Sequence, residues 1–196
     1  MSMNDANSKA SPRDSSSSWD DEDDGISLSE LAGAILGQWK IILAGSILAG
    51  AAGLGLVPED RRNPLYTTTY GVGQVMAKAI EGGIRHFIIG LGGSATSDCG
   101  VGMLQALGYV FRDAEGHVVG TGGLAVGDIA SVDDSQVLPA LKECTFDVAC
   151  DVTNPLYGTL GAAAVFGPQK GASPADVKAL DEASRSFAAV TEAYLG

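Results

Sequence analysis

The chain has 196 residues, 45% of them hydrophobic, which is enough for one globular domain with a core, or a domain with an appendage. Its 27 glycines favour the turns of an α/β domain over a helical bundle, and its net charge of −12 argues against binding nucleic acid through phosphates. Three cysteines, an odd number with no C-x-x-C spacing, point to neither a disulfide framework nor a zinc site. Cys99, Cys144 and Cys150 read as free thiols of a reducing compartment, and the isolated His86 and His117 read as non-ligands.

Residues 1–25 form the first of three zones. Ser15 to Ser18 and the block Asp20-Asp21-Glu22-Asp23-Asp24 cannot bury enough apolar surface to offset ordering entropy, so a disordered acidic tail is expected. No basic stretch opens it, as a secretory signal would require. Residues 26–57 form an apolar helical segment. Ser27-Leu28-Ser29-Glu30 opens it, Trp39-Lys40 follows, and Ile41 to Val57 carries no charge. That run of 17 residues stands at the short end of what crosses a bilayer. It reads either as a membrane helix or as a packed one.

Residues 58–196 alternate strand and helix signals, which predicts an α/β domain with a mixed sheet and flanking helices. The pattern gives a threonine-capped helix from Thr67 to Gly83, a strand over His86–Ile89 and a helix over Gly100–Leu107. A hairpin follows, with Tyr109–Arg112 and His117–Val119 flanking Asp113-Ala114-Glu115-Gly116. Next come a short strand near Ile129–Val132, a short helix over Ser135–Leu141 and a buried strand over Thr145–Ala149. A last helix starts at Pro174 and runs toward Leu195 with Val177, Leu180, Phe187 and Val190 inward.

Three clusters carry candidate chemistry. Gly90-Leu91-Gly92-Gly93-Ser94-Ala95-Thr96-Ser97-Asp98 lies between a strand and a helix, where glycines let backbone N–H groups approach an anion. Ser94 and Thr96 can donate to a phosphate or carboxylate, and Asp98 is a candidate base or metal ligand. These residues can equally cap the next helix. The loop also fits Gly90-x-Gly92-x-x-Ala95, the dinucleotide fingerprint, with Asp113 further on. In the second cluster, Asp151 and Asn154 follow a strand, where ligand crevices of α/β folds lie, although both can simply build the turn before Pro155. In the third, Phe166 to Ala172, Lys170 is a mobile positive charge among glycines.

Together with Arg62 to Gly71, these clusters resemble the type-1 glycerate kinases. That family carries Gly-Gly-Ser-Ala-Thr-x-Asp, matched by Gly92 to Asp98, and Ala-Cys-Asp-Val-x-Asn-Pro-Leu, matched by Ala149 to Leu156. Its Phe-Gly-Pro-Gln-Lys-Gly-Ala is matched by Phe166 to Ala172, and the resemblance covers about residues 51–196. Cys99 and Ser97 depart from it, standing where the family more often has glycine and asparagine.

The resemblance implies transfer of the ATP γ-phosphoryl group to D-glycerate, giving 2-phosphoglycerate or 3-phosphoglycerate, with Mg2+ as the metal. It implies catalytic roles for Asp98, Asp151 and Lys170, with Gly92, Gly93, Ser94, Thr96 and Asn154 binding substrate or phosphate. Asp98 and Asp151 both remain open as the metal ligand.

The family's Asp-Ser-Phe-Lys-Gly-Ser, Asp-Gly-Gly-Glu-Gly-Thr and closing Ala-Gly-Gly stretches are not in this sequence. The resemblance therefore implies the central domain of a two-domain enzyme, with little activity expected from the chain alone. Residues 20–55 are also similar to the start of polysaccharide chain-length regulators of the bacterial inner membrane. Both resemblances together lead to the expectation of a recombined or truncated product, a foreign segment joined near Gly50 to a kinase interior. A cytoplasmic location is expected, with inner-membrane association through residues 41–57 as the alternative, and the oligomeric state stays open.

Overall fold

The computed structural model describes residues 53–196. The acidic tail, the regulator-like stretch and most of the apolar segment lie outside the described residues. In chain order the elements are α1 (Tyr70–Glu81), β1 (His86–Gly90), α2 (Val101–Ala106), β2 (Val110–Arg112), β3 (Ser131–Asp133), β4 (Thr145–Ala149), α3 (Ala162–Phe166) and α4 (Pro174–Leu195). Helices thus flank two small sheets, one parallel (β1–β4) and one antiparallel (β2–β3), in a mixed α/β fold.

Helix α1 starts later than the threonine pattern predicts. Thr69 precedes it without a side-chain cap, because the threonine hydroxyls are spent on partners some thirty residues away. At the other end Gly83, at φ +93°, lets the Ile84 N–H reach the Ala79 carbonyl at 3.0 Å and closes the helix as expected. The buried face of α1 is Gly73, Met76, Ala79 and Ile80. It packs with Phe87 and Leu107 into one core cluster.

Two glycines set how closely α1 and α2 approach. A Cβ on Gly73 would sit 2.3 Å from the Met103 carbonyl oxygen, and one on Gly102 would sit 2.1 Å from Thr68 Oγ1. Only residues without a Cβ allow this crossing.

The expected hairpin forms in part. Phe111 accepts from the Val119 N–H and Asp113 donates to His117, but the ladder of β2 runs with β3, from Val110↔Asp133 to Arg112↔Ser131. Asp113 Oδ1 accepts the N–H groups of Glu115 and His117, so this side chain closes its own turn. The helix expected over 135–141 is replaced by a 3-10 turn at Pro139–Glu143, since Pro139 supplies no N–H in mid-helix.

Strand β4 forms where expected, over Thr145–Ala149, but it is not buried. All five residues are exposed, and Val148 is 57% accessible. Among the described residues β4 pairs on one edge only, with β1 from His86↔Thr145 to Gly90↔Ala149. Helix α4 begins with a capping box in which Ser173 Oγ accepts the Asp176 N–H and Asp176 accepts the Ser173 N–H. Leu180 is buried, and Phe187 joins the second core cluster with Val101, Phe111, Val126 and Ile129. Val177 and Val190 are only half-buried.

Candidate functional site

The parallel strands β1 and β4 deliver their carboxyl ends side by side. The Leu91 N–H bonds to the Ala149 carbonyl at 3.1 Å, just past the last register pair. Two loops leave from this point, residues 91–99 after β1 and residues 150–161 after β4.

The first loop is tied to distant parts of the chain. Its Gly93 carbonyl accepts the Leu54 N–H at 3.1 Å, and its Ala95 carbonyl accepts from Thr67 Oγ1 at 2.7 Å. Lys170, at the end of the 3-10 turn Pro168–Lys170, donates from Nζ to Ser94 Oγ at 3.1 Å and to the Thr96 carbonyl. Ser94 Oγ also donates to the Thr96 carbonyl at 3.2 Å. Gly171, at φ +93°, turns the chain away directly after Lys170, and a Cβ there would strike the Arg62 carbonyl at 2.3 Å. The structure therefore gathers Ser94, Thr96 and Lys170, three of the expected site residues.

Burial pushes the Lys170 ammonium below its ordinary value, with the Asp98 carboxylate opposing that shift. No carboxylate lies within 4.0 Å of Lys170 among the described residues. A half-buried cation held by a hydroxyl and a carbonyl, with no other partner among the described residues, is suited to an anion, which would restore the electrostatic partner lost with water.

Asp98 takes a different place from an open metal or proton site. It is 1% exposed. Its Oδ2 accepts the Thr69 N–H at 2.7 Å, Thr69 Oγ1 at 2.9 Å, Thr68 Oγ1 at 3.2 Å and the Gly102 N–H at 3.3 Å. Oδ1 accepts the Gly100 N–H at 3.3 Å. Its acceptor positions are filled by the chain itself, which pins the segment before α1 to the start of α2. Thr67, Thr68 and Thr69 are thus the residues that sequence reasoning underrated. Three successive threonines exceed what one helix cap uses, and that surplus was the available signal.

Cys99 follows with φ +51°, left-handed for a residue with a Cβ. Its Sγ lies 3.5 Å from Ser184 Oγ, and burial pushes its thiol pKa up. All three cysteines are free thiols.

Asp151 is not gathered with Lys170. It is exposed, and it lines a cleft of about 550 Å³ with Gly90, Leu91, Gly92, Gly93, Ala149 and Cys150. Gly92 and Gly93 of the expected phosphate-binding set therefore face this side of the loop. Asn154 donates from Nδ2 to the Leu160 carbonyl at 2.9 Å, which builds its own turn. The far part of that turn is fixed by α4, where Asp181 accepts the Gly158 N–H at 2.6 Å and Arg185 lies 4.4 Å from the Tyr157 ring centroid. Among the described residues there is no group of three His, Cys, Asp or Glu able to hold a metal by themselves.

The same chain carries a family signature. A model of the glycerate kinase family matches residues 34–196. The chain belongs to the glycerate kinase family. The matched span begins ahead of residue 51, where the sequence motifs first resemble the family, and takes in part of the apolar segment. Glycerate kinase of Haemophilus influenzae is 50% identical over 149 residues, which are 76% of this chain and 39% of that protein. Glycerate 2-kinase of Escherichia coli K12 is 48% identical over 148 residues, again 76% and 39%. A crystal structure assigned to glycerate kinase 2 of Salmonella typhimurium LT2 superposes with a TM-score of 0.69 at 49% identity, covering 73% of this chain and 38% of that one. The chain thus spans about 39% of the length of the curated relatives it matches.

Membership in the glycerate kinase family does not favour the dinucleotide-binding or chain-length-regulator readings. Asp113, which the dinucleotide reading needs for a ribose, is spent on its own turn. Among the described residues no helix is long and apolar enough to cross a membrane.

Proposed function

We propose that this chain carries the anion-binding part of a glycerate kinase site, serving transfer of the ATP γ-phosphoryl group to a hydroxyl of D-glycerate in the cytoplasm. The observation that carries the reading is Lys170, a half-buried ammonium on Ser94 and Thr96 with no carboxylate beside it among the described residues. Phosphoryl transfer depends mostly on positioning and on neutralising charge, which is what a fixed cation and a glycine-rich loop supply. The name of the Escherichia coli relative favours the 2-hydroxyl as acceptor and 2-phosphoglycerate as product.

The two carboxylates divide the work that the sequence left undecided. Asp98, buried and saturated by donors, acts as a positioning residue for loop 91–99. Asp151, exposed beside Gly92 and Gly93, is the carboxylate open to a metal ion or to the substrate hydroxyl. A single carboxylate fits Mg2+, which keeps waters and binds largely through substrate phosphates, neutralising their charge when bound. Asn154 then serves by shaping the loop that presents Asp151. The exposure of that loop leaves reacting groups open to water, so slow transfer is expected from the chain alone.

Thermal unfolding of the purified chain with ATP, D-glycerate or orthophosphate tests this reading. A ligand that binds only the folded state raises the melting temperature. The expected result is a rise with ATP that Lys170→Met removes. An equal rise in both proteins overturns the role of Lys170. A coupled assay with ATP and D-glycerate checks the reaction, and turnover equal to that of a full-length relative would contradict the expected slow transfer.

A further inference from the structure

The outer face of the parallel strand pair carries a cluster that phosphoryl transfer leaves unused. Phe87 and Phe146 stack on the core side of β1 and β4, so His86, Thr145 and Asp147 take the other face. His86 and Thr145 open their strands, and the register sets them opposite each other. His86 Nδ1 lies 2.7 Å from Thr145 Oγ1, and His86 Nε2 lies 3.2 Å from Asp147 Oδ2. In sequence His86 reads as isolated; the fold gives it two partners some sixty residues away.

The proton positions follow from what each group can donate. A carboxylate only accepts, so in the neutral ring the proton sits on Nε2 and is donated to Asp147. Nδ1 is then the acceptor, and the Thr145 hydroxyl donates to it. A hydroxyl on a histidine that a carboxylate orients is the arrangement of an activated nucleophile. Thr145 is exposed, so a reagent can reach it. We propose that Thr145 is a nucleophilic acyl-acceptor site, modified by activated acyl donors of the acyl phosphate or aryl ester class.

The step balances within the cluster and the donor. Thr145 Oγ1 bonds to the acyl carbon while His86 Nδ1 takes the hydroxyl proton. The bond from the acyl carbon to the phosphate or phenolate oxygen breaks, and that oxygen leaves with the electron pair. The proton on His86 then passes to the leaving group or to water. Asp147 stabilises the imidazolium in between. The cluster supplies a base and its orienter, which suits donors whose leaving group departs unaided. The five residues of β1, about 13 Å of strand, separate this site from the loop that Lys170 contacts.

Incubation of the full chain with p-nitrophenyl acetate, followed by peptide mass spectrometry, tests the proposal. One acetyl group is expected on Thr145, formed about tenfold faster than on Thr159 or more. Thr159 is the internal control: it is also exposed, and the two histidines of the chain bond elsewhere, His86 to Thr145 and Asp147 and His117 to Asp113. His86→Ala is expected to slow acetylation of Thr145 about a hundredfold. Added imidazole is expected to restore part of that rate, which a merely structural histidine would not allow. Asp147→Asn is expected to slow it about tenfold. Melting temperatures check that both variants fold. Acetylation of Thr145 no faster than that of Thr159 in the unaltered chain overturns the proposal, and so does an unchanged rate in folded His86→Ala.

Discussion

Two loops leave the same pair of parallel strands, and they are held in opposite ways. Loop 91–99 is bonded to Leu54, Thr67, Thr69 and Lys170, and its Asp98 is almost inaccessible. Residues 150–157 are all exposed, and among the described residues the Asn154 side chain bonds within its own turn, to Leu160. The difference teaches that one family motif can be a rigid cradle and another an open presenting arm. The identity of an acidic residue does not tell which it serves. Asp98 and Asp151 are chemically alike in sequence and unlike in every contact.

The comparison breaks most easily at Asp98. Asp98→Ala strands the Thr69 N–H and two threonine hydroxyls in a buried place, and a loss of about 3 kcal/mol is expected in urea unfolding. Asp151→Asn is expected to change stability by less than about 0.5 kcal/mol in the same experiment, because its surroundings are solvent. Equal losses for the two would erase the contrast. Gly102→Ala comes next, since its Cβ meets Thr68 Oγ1 and disturbs the donors of Asp98. Overpacking of this kind costs about 1–3 kcal/mol.

Lys170 sharpens the contrast through pH. Its folded pKa is depressed by burial, so between that value and the ordinary 10.5 the unfolded chain binds more protons and stability rises with pH. The cost of burying the ammonium acts in full below the folded pKa and is relieved as pH climbs through it toward 10.5. An anion needs the ammonium, so phosphate affinity is expected to fall over that alkaline window. Titrations across pH check this, and Lys170→Met should flatten the profile.

The smallest effect is at Cys99. Cys99→Gly relieves a left-handed backbone at φ +51° but loosens the unfolded chain and loses the thiol contact with Ser184. A net gain below about 1 kcal/mol is expected, read as a small rise in melting temperature. A clear loss would show that thiol packing outweighs strain.

Much of this was legible in sequence where local rules decide. The start of the last helix at Pro174, the Gly83 stop and the strands around Phe87 and Val148 all follow from residue type and spacing. The gathering of Ser94, Thr96 and Lys170 was legible only as co-ordered motifs, because the contact spans 76 residues. The threonines were misjudged because a local cap and a distant carboxylate compete for the same hydroxyls, and sequence shows only the first. The exposure of β4 was hidden for a related reason. Its apolar residues, Phe146 and Val148, state a preference for burial, and only the fold shows that β1 covers one edge.

The central claim is that Lys170 on Ser94 and Thr96 forms an anion site. Calorimetric titration of tripolyphosphate into the wild-type chain and Lys170→Met at neutral pH tests it most directly. The account predicts binding to the wild type and a loss of about tenfold or more in the variant. Equal affinity in the two proteins would contradict it.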